Sequence, residues 1–184
     1  MRRFALALVL AASALPAAAA DAVVLPRDTR GPAVAATKQI SEMPDLQAEV
    51  LVAINDLRRT KGLSELRLNR ALSLAALGHS VSMAQHGFFS HSGWNGSAFW
   101  ERIKPKYRPP PNGYWGVGEN LVWASPELTA DGAIERWVNS PPHRKNLLTP
   151  AWREVGLGAV RALAAPGVYE GLDVTILTAD FGVR

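Results

Sequence analysis

The residues best suited to chemistry lie between positions 118 and 148, with one more upstream. This stretch carries two carboxylates, Glu119 and Glu135, and one imidazole, His143, each embedded in apolar or aromatic sequence. A second imidazole, His91, follows two phenylalanines and a serine. Imidazoles and carboxylates bind divalent metals, move protons or pair with one another. We predict that these four side chains converge on one cleft.

Two kinds of chemistry are open to these four groups. His91 and His143 can bind a divalent metal through neutral ring nitrogens, with the two carboxylates as further ligands or as groups that orient the rings. Imidazole ligands favour zinc over magnesium or calcium. Without a metal, each carboxylate can pair with an imidazole, which would raise the pKa of that imidazole and join the segments. The sequence leaves both alternatives open.

The motifs of common hydrolases are missing from this sequence. It has no cysteine, no His-Glu-x-x-His helix and no Gly-x-Ser-x-Gly elbow. Ser90, Ser92 and Ser140 lie near the histidines, but serine is common at caps and turns, so we favour structural roles for them. In an enzyme, Glu119 or Glu135 would act as the general base on a metal-bound water. We assign no catalytic residue and favour binding over catalysis.

The first twenty residues are typical of a secretory signal peptide. Two arginines form a short positive head, and residues 4–15 are an apolar run too short to span a bilayer. Small residues follow, with a predicted cleavage site near Ala20. Residues 21–42 show no clear periodicity and are predicted to form a flexible lead-in to a single domain, residues 43–184. We therefore predict a secreted or periplasmic protein.

Composition narrows the range of partners. Without the two leader arginines the chain has 18 basic and 16 acidic residues, so it is nearly neutral and offers no argument for a nucleic-acid partner. No second apolar run reaches the length of a membrane span. The chain contains no cysteine, so the core must hold the fold without disulfides.

A basic edge precedes the main stretch of candidate residues. It contains Arg102, Lys104, Lys106 and Arg108, followed by consecutive prolines that favour an extended loop. An anionic envelope polymer or a lipid headgroup is one partner for such an edge. A solvated charged loop is the alternative that we favour, because blocks of charge are usually plain surface.

The predicted elements that position these residues are helices in the first part of the chain, and the strands are concentrated in the later part. That order favours an α+β fold, with helices packed on a small, largely antiparallel sheet. Asn69 can cap the second helix, on whose apolar face His79 is predicted to be buried and hydrogen-bonded. The predicted helices begin at about Asp45, Asn69, Ser97 and Ser125, and the predicted strands cover residues 113–124, 155–161 and 173–181.

Five short motifs occur in an order that is shared with a known family. They are residues 54–58, 89–93, 118–121, 137–148 and 154–158. Together they resemble the CAP superfamily, or SCP domain, whose members include cysteine-rich secretory proteins, antigen 5 venom allergens and plant pathogenesis-related proteins. More specifically, the sequence resembles the cysteine-free bacterial branch, and the likeness covers about residues 46–182.

The resemblance implies an α-β-α sandwich with two histidines and two glutamates in a central cleft. The matching positions are His91, Glu119, Glu135 and His143, with Glu135 matched by its place two residues before Trp137. Members of the family sometimes carry a divalent metal in this cleft. The resemblance implies a binding or interaction module for a lipid, a sterol-like molecule, an envelope polymer or a protein. A metal-dependent hydrolase acting on envelope peptides or peptidoglycan is the alternative.

Overall fold

A five-stranded sheet forms the centre of the molecule in the computed structural model, which describes residues 40–184. The predicted signal peptide and residues 21–39 of the predicted lead-in lie outside the described residues. The strands are β1 (Ile40–Glu42), β2 (Arg67–Leu68), β3 (Gly116–Ala124), β4 (Glu154–Ala162) and β5 (Val174–Val183). Four of them follow the order β1-β4-β5-β3 with antiparallel pairing, and β2 pairs in parallel with the beginning of β4.

Helices cover both faces of this sheet. They are α1 (Pro44–Thr60), α2 (Arg70–His86), α3 (Phe99–Ile103), α4 (Ala130–Asn139) and α5 (Pro141–Leu147). Successive side chains of a strand point to opposite faces, so β4 and β5 contribute to two cores. Leu157 and Leu177 pack with α1 and α4 on one face, whereas Val160 and Ile176 pack with α2 on the other. This arrangement confirms the predicted α+β sandwich.

Two glycines allow α2 to lie directly on the sheet. A Cβ at Gly156 or at Gly158 of β4 would overlap the backbone of α2. The two positions lie on the α2 face because they alternate with buried Leu157, which faces the other core. The motif at residues 154–158 is therefore explained by close helix–sheet packing.

Capping residues account for the boundaries of α2. The side chain of Asn69 accepts hydrogen bonds from the backbone N–H groups of Ala71 and Leu72, at 2.9 and 3.2 Å. Gly87 follows the helix in the left-handed conformation, with φ of 68°, which glycine adopts at little cost. The cap predicted at Asn69 is confirmed.

Three boundaries differ from the prediction by three residues or more, and one of them is the start of β3, which lies at Gly116 rather than at residue 113. The last three residues of the predicted lead-in, Ile40–Glu42, form β1 and pair with β4. The fourth helix begins at Ala130 rather than near Ser125, because Thr129 supplies the cap by accepting a hydrogen bond from Gly132 N–H at 3.1 Å. The Ser125 hydroxyl does not cap the helix, because it donates to the backbone carbonyl of Asp173, just before β5.

Candidate functional site

Glu119 lies at the centre of the candidate site, on the edge strand β3. It is buried on the α2 face of the sheet, directly opposite Asp180 of β5. A buried carboxylate is unfavourable unless other groups compensate its charge. The compensation comes from two segments that precede β3 in the chain.

His91 and Arg102 together occupy both oxygens of Glu119. His91 Nδ1 lies 2.7 Å from Oε1, and an ionised carboxylate only accepts, so the ring nitrogen donates. The Arg102 guanidinium donates to Oε2 and also, at 3.1 Å, to the backbone carbonyl of His91. Burial raises the pKa of Glu119, but the His91 hydrogen bond and the Arg102 charge outweigh it, so this pKa lies below its usual value.

A second histidine fixes the loop that carries His91. His79 is buried on α2, and its Nε2 lies 2.8 Å from the backbone carbonyl of Ser90. Burial lowers the pKa of His79 to about 4, so the ring is neutral at pH 7 and donates Nε2–H to that carbonyl. The prediction that His79 is buried and hydrogen-bonded is confirmed. Its hydrogen bond positions Ser90, the residue that precedes His91.

His143 reaches the same site from the other face of β3. Asn120, which follows Glu119 and points to the opposite face, donates to the backbone carbonyl of His143 at 3.1 Å. Asn146 in turn donates to the Asn120 side-chain oxygen at 3.0 Å, which ties α5 to the edge strand. The rings of His91 and His143 lie 6.4 Å apart between centroids. The structure therefore brings His91, Glu119 and His143 together.

His143 differs from the predicted carboxylate-paired imidazole. Among the described residues no carboxylate lies within ion-pair distance of its ring. Burial, followed by the charge of His91, lowers its pKa, whereas pairing with a carboxylate would have raised it. The alternative in which a carboxylate pairs with His143 and raises its pKa therefore does not describe this arrangement.

Glu135 is not among the residues that the structure brings together. It is exposed on α4 and lines a groove between α4 and α1. The reason is helical phase: Trp137 faces the core, where its indole N–H donates to the Leu121 carbonyl at 3.0 Å. A residue two positions away is rotated by about 200° around the helix, so Glu135 points away from that contact.

Asp180 and Arg102 are site residues that the sequence reasoning missed. Asp180 is fully buried, and neither of its oxygens has a hydrogen-bond partner among the described residues. Burial, and then the charge of Glu119, raises the pKa of Asp180 well above its usual value, which favours its protonated, neutral form. An acidic residue within an apolar strand was a signal for Asp180. Arg102 was noted in the sequence only as part of the basic edge.

The described residues do not form a complete metal site. Glu119 occupies His91 Nδ1, so His91 can offer a metal only its Nε2. His143 is the other imidazole in reach, and residues 40–184 contain no group of three or more histidine, cysteine, aspartate or glutamate residues placed to hold a metal ion. Protein zinc sites use three or four such ligands. The site can hold hydrogen-bonding ligands through its two imidazoles.

The fold and the site together define a CAP domain. A largely antiparallel sheet lies between helical layers, and a His–Glu pair and a second histidine meet at its edge strand. The family model described as the cysteine-rich secretory protein family, CAP, matches residues 51–169. The chain belongs to this family.

Two relatives from Bacillus subtilis are similar to the chain in sequence. The uncharacterized protein YkwD is 27% identical over 133 residues, which cover 68% of this chain and 47% of YkwD. The uncharacterized membrane protein YlbC is 28% identical over 115 residues, which cover 62% of this chain and 32% of YlbC. The chain thus spans less than half the length of the curated relatives it matches. None of the helices within residues 40–184 is long and apolar enough to cross a membrane.

Solved bacterial structures share the fold. An extracellular SCP-domain protein from Bacillus anthracis is 24% identical with a TM-score of 0.58, covering 77% of this chain and 41% of that one. An outer surface protein from Borrelia burgdorferi is 20% identical with a TM-score of 0.62, covering 80% of this chain and 99% of that one. At these identities the likeness concerns the fold alone.

Proposed function

We propose that this CAP protein is a non-enzymatic binding or interaction module that works outside the cytoplasm. The observation that carries the proposal is the state of Glu119, whose two oxygens are both occupied by His91 and Arg102. These contacts hold His91 in one orientation. The side chain of His91 remains 28% exposed, and His143 is half-buried beside it. A ligand can therefore reach the His91 imidazole, whose orientation is fixed in advance, and the His143 imidazole beside it.

The same geometry argues against a hydrolase. A general base needs a free oxygen and a pKa near the working pH, and Glu119 has neither. Glu135, the other candidate base, lies in the groove between α1 and α4. Asp180 is fully buried behind Glu119, and its raised pKa favours the neutral form, so it is not a base open to a ligand. Among the carboxylates of the site, none combines access, basicity and position.

The setting outside the cytoplasm is supported by the sequence of the first twenty residues. The similar proteins of known structure from Bacillus anthracis and Borrelia burgdorferi are described as an extracellular and an outer surface protein, which agrees with that setting. A lipid, an envelope polymer or another protein is the partner class for such a module. The divalent metal expected at His91 and His143 stays a prediction.

The decisive experiment compares binding with turnover in protein purified without chelator. Metal content is measured first, followed by hydrolysis of muropeptides and by calorimetric titration with muropeptides and with phospholipid vesicles. We expect no turnover, and an affinity for one of these probes that falls about tenfold in His91→Ala and in His143→Ala, as one lost hydrogen bond in a desolvated site would give. His86→Ala, an exposed histidine outside the site, should bind like the wild type.

Metal-dependent turnover that disappears in folded His143→Ala would overturn the binding proposal in favour of the hydrolase. One further result would contradict both the binding proposal and the hydrolase alternative. If the two variants lower the melting temperature and leave every affinity unchanged, the His91 and His143 side chains serve only the fold.

A further inference from the structure

A groove beside α3 carries an indole and two cations that the His91 site does not use. Its volume is about 500 Å³, within the usual range for small-molecule sites. The two cations belong to the basic edge noted in the sequence. The groove is lined by Trp100, Glu101, Lys104, Pro105, Arg108 and Pro109.

Helical spacing aligns two of the three main groups along this groove. Trp100 and Lys104 lie four residues apart on one side of the helical backbone, and Arg108, just beyond the helical path, lines the same groove. The helical path continues beyond α3, because Tyr107 N–H donates to the Ile103 carbonyl at 2.9 Å. Indole, ammonium and guanidinium therefore line one groove.

The positive charge of the groove is not neutralised by the protein. Among residues 40–184, neither Lys104 nor Arg108 has a carboxylate within ion-pair distance. Glu101 also lines the groove, but its Oε2 accepts the Ala98 backbone N–H at 3.0 Å and so points back to the start of α3. Both cations are exposed, as is neighbouring Lys106, so the groove attracts an anion.

The indole supplies a flat apolar wall. Trp100 is half-buried, with part of its ring packed against a core cluster that includes Phe99 and Ile103 and the rest lining the groove. The negative face of an aromatic ring attracts the partly positive C–H groups of a sugar ring. Pro105 and Pro109 restrict the backbone of the rim, so little entropy is lost when a ligand binds.

We propose that this groove is a second binding site, for an acidic saccharide. The apolar face of a sugar ring lies against Trp100, and its carboxylate or phosphate group pairs with Lys104 and Arg108. A membrane surface fits less well, because the indole forms a recessed wall and does not protrude into solvent. The site is separate from the proposed function at His91, although one helix serves both: Arg102 turns to Glu119, while Trp100 and Lys104 face the groove.

The test is a calorimetric titration of the full chain with tetragalacturonic acid at low and at physiological salt. The fully methyl-esterified tetramer is the matched neutral probe, with the same rings and no carboxylate charge. We expect binding of the acid, weaker at higher salt, and at least tenfold weaker binding of the ester.

Two double variants, each of which loses two positive charges, distinguish a specific site in the groove from a general attraction of anions to the protein. Lys104→Gln/Arg108→Gln should lose at least tenfold in affinity, because charge-assisted contacts disappear. Lys61→Gln/Arg136→Gln removes two exposed cations elsewhere and should change affinity less than about twofold. Trp100→Leu keeps an apolar group at the helix surface and should also weaken binding, with circular dichroism confirming that the variant is folded.

Three results would overturn the proposal. Equal losses in the two double variants would mean that only net charge matters. Equal binding of acid and ester would remove the role of the cations. Binding to vesicles that contain phosphatidylglycerol, with no binding to the tetramer, would make this groove a membrane contact instead.

Discussion

Glu119 and Asn120 are neighbours in β3, yet they serve two networks of different character on opposite faces of the sheet. Asn120 joins neutral groups: it contacts the His143 carbonyl and Asn146, whose carbonyl accepts from the Trp152 indole at 2.9 Å. Glu119 joins charged groups and lies opposite Asp180, whose oxygens have no partner in the described residues.

The amide network stabilises the fold, whereas the charged network forms a site that a ligand can reach. The amide network is buried and each of its members is hydrogen-bonded, which is how polar groups stabilise a core. The charged network opens to solvent at His91 and contains two neighbouring carboxyl groups whose pKa values are shifted in opposite directions, lowered at Glu119 and raised at Asp180. Perturbed groups of this kind are concentrated at functional sites.

The largest expected effect comes from removing the charge at the centre of the site. Glu119→Gln leaves the mostly buried Arg102 without its carboxylate, and breaking such a pair costs about 3 kcal/mol of unfolding free energy. Glu135→Gln makes the same chemical change on an exposed helix face and should alter stability by less than about 0.5 kcal/mol. Urea unfolding of both variants measures the difference. Similar losses would contradict the placement of the two glutamates.

Acid should lower the stability of the folded protein through His79, which lies beside the charged network. Its folded pKa of about 4 lies below the unfolded value of 6.5, so the folded state binds fewer protons. Its contribution is therefore present above pH 6.5 and is lost as pH falls toward 4, by about 2–3 kcal/mol. His79→Gln retains a donor for the Ser90 carbonyl but cannot titrate. The stability of wild type relative to this variant, followed by urea unfolding, should fall over that pH range; a constant difference would refute the assignment.

A somewhat smaller loss is expected on the neutral face. Asn120→Ala leaves the Asn146 amide and the His143 carbonyl without a partner, at a cost of about 2 kcal/mol. Asn139→Ala, at an exposed position of α4, should be nearly neutral. Chemical denaturation tests the pair, and NMR of His143 should show a shifted ring environment only in the first variant.

The smallest effect is expected at Asp180, and it should depend on pH in the opposite sense from His79. The raised pKa means that the folded state holds a proton that the unfolded state releases above its usual pKa, so this group lowers stability as pH rises. Asp180→Asn is neutral at every pH. It should lie within about 1 kcal/mol of wild type at pH 5 and be the more stable protein at pH 8. Urea unfolding at both values checks this; a less stable variant at pH 8 would show that Asp180 is ionised.

Local sequence signals predicted most of the helices and identified three side chains that lie close together in the structure. Asn69 and Gly87 mark the ends of α2 because a cap and a left-handed turn depend only on nearby backbone. His91, Glu119 and His143 were found because each lies in a short motif of the CAP family. Glu135 was matched by its spacing from Trp137, and spacing alone does not say which side of a helix faces the core.

What the sequence by itself determined was the class of fold and three of the polar groups at the edge of its sheet. Only the tertiary structure decided what surrounds them. The register between β3 and β5 places Asp180 opposite Glu119, and the packing of α3 brings Arg102 to the same carboxylate. Register and packing arise from contacts between segments far apart in the chain, and the field at Glu119 is the sum of those contacts.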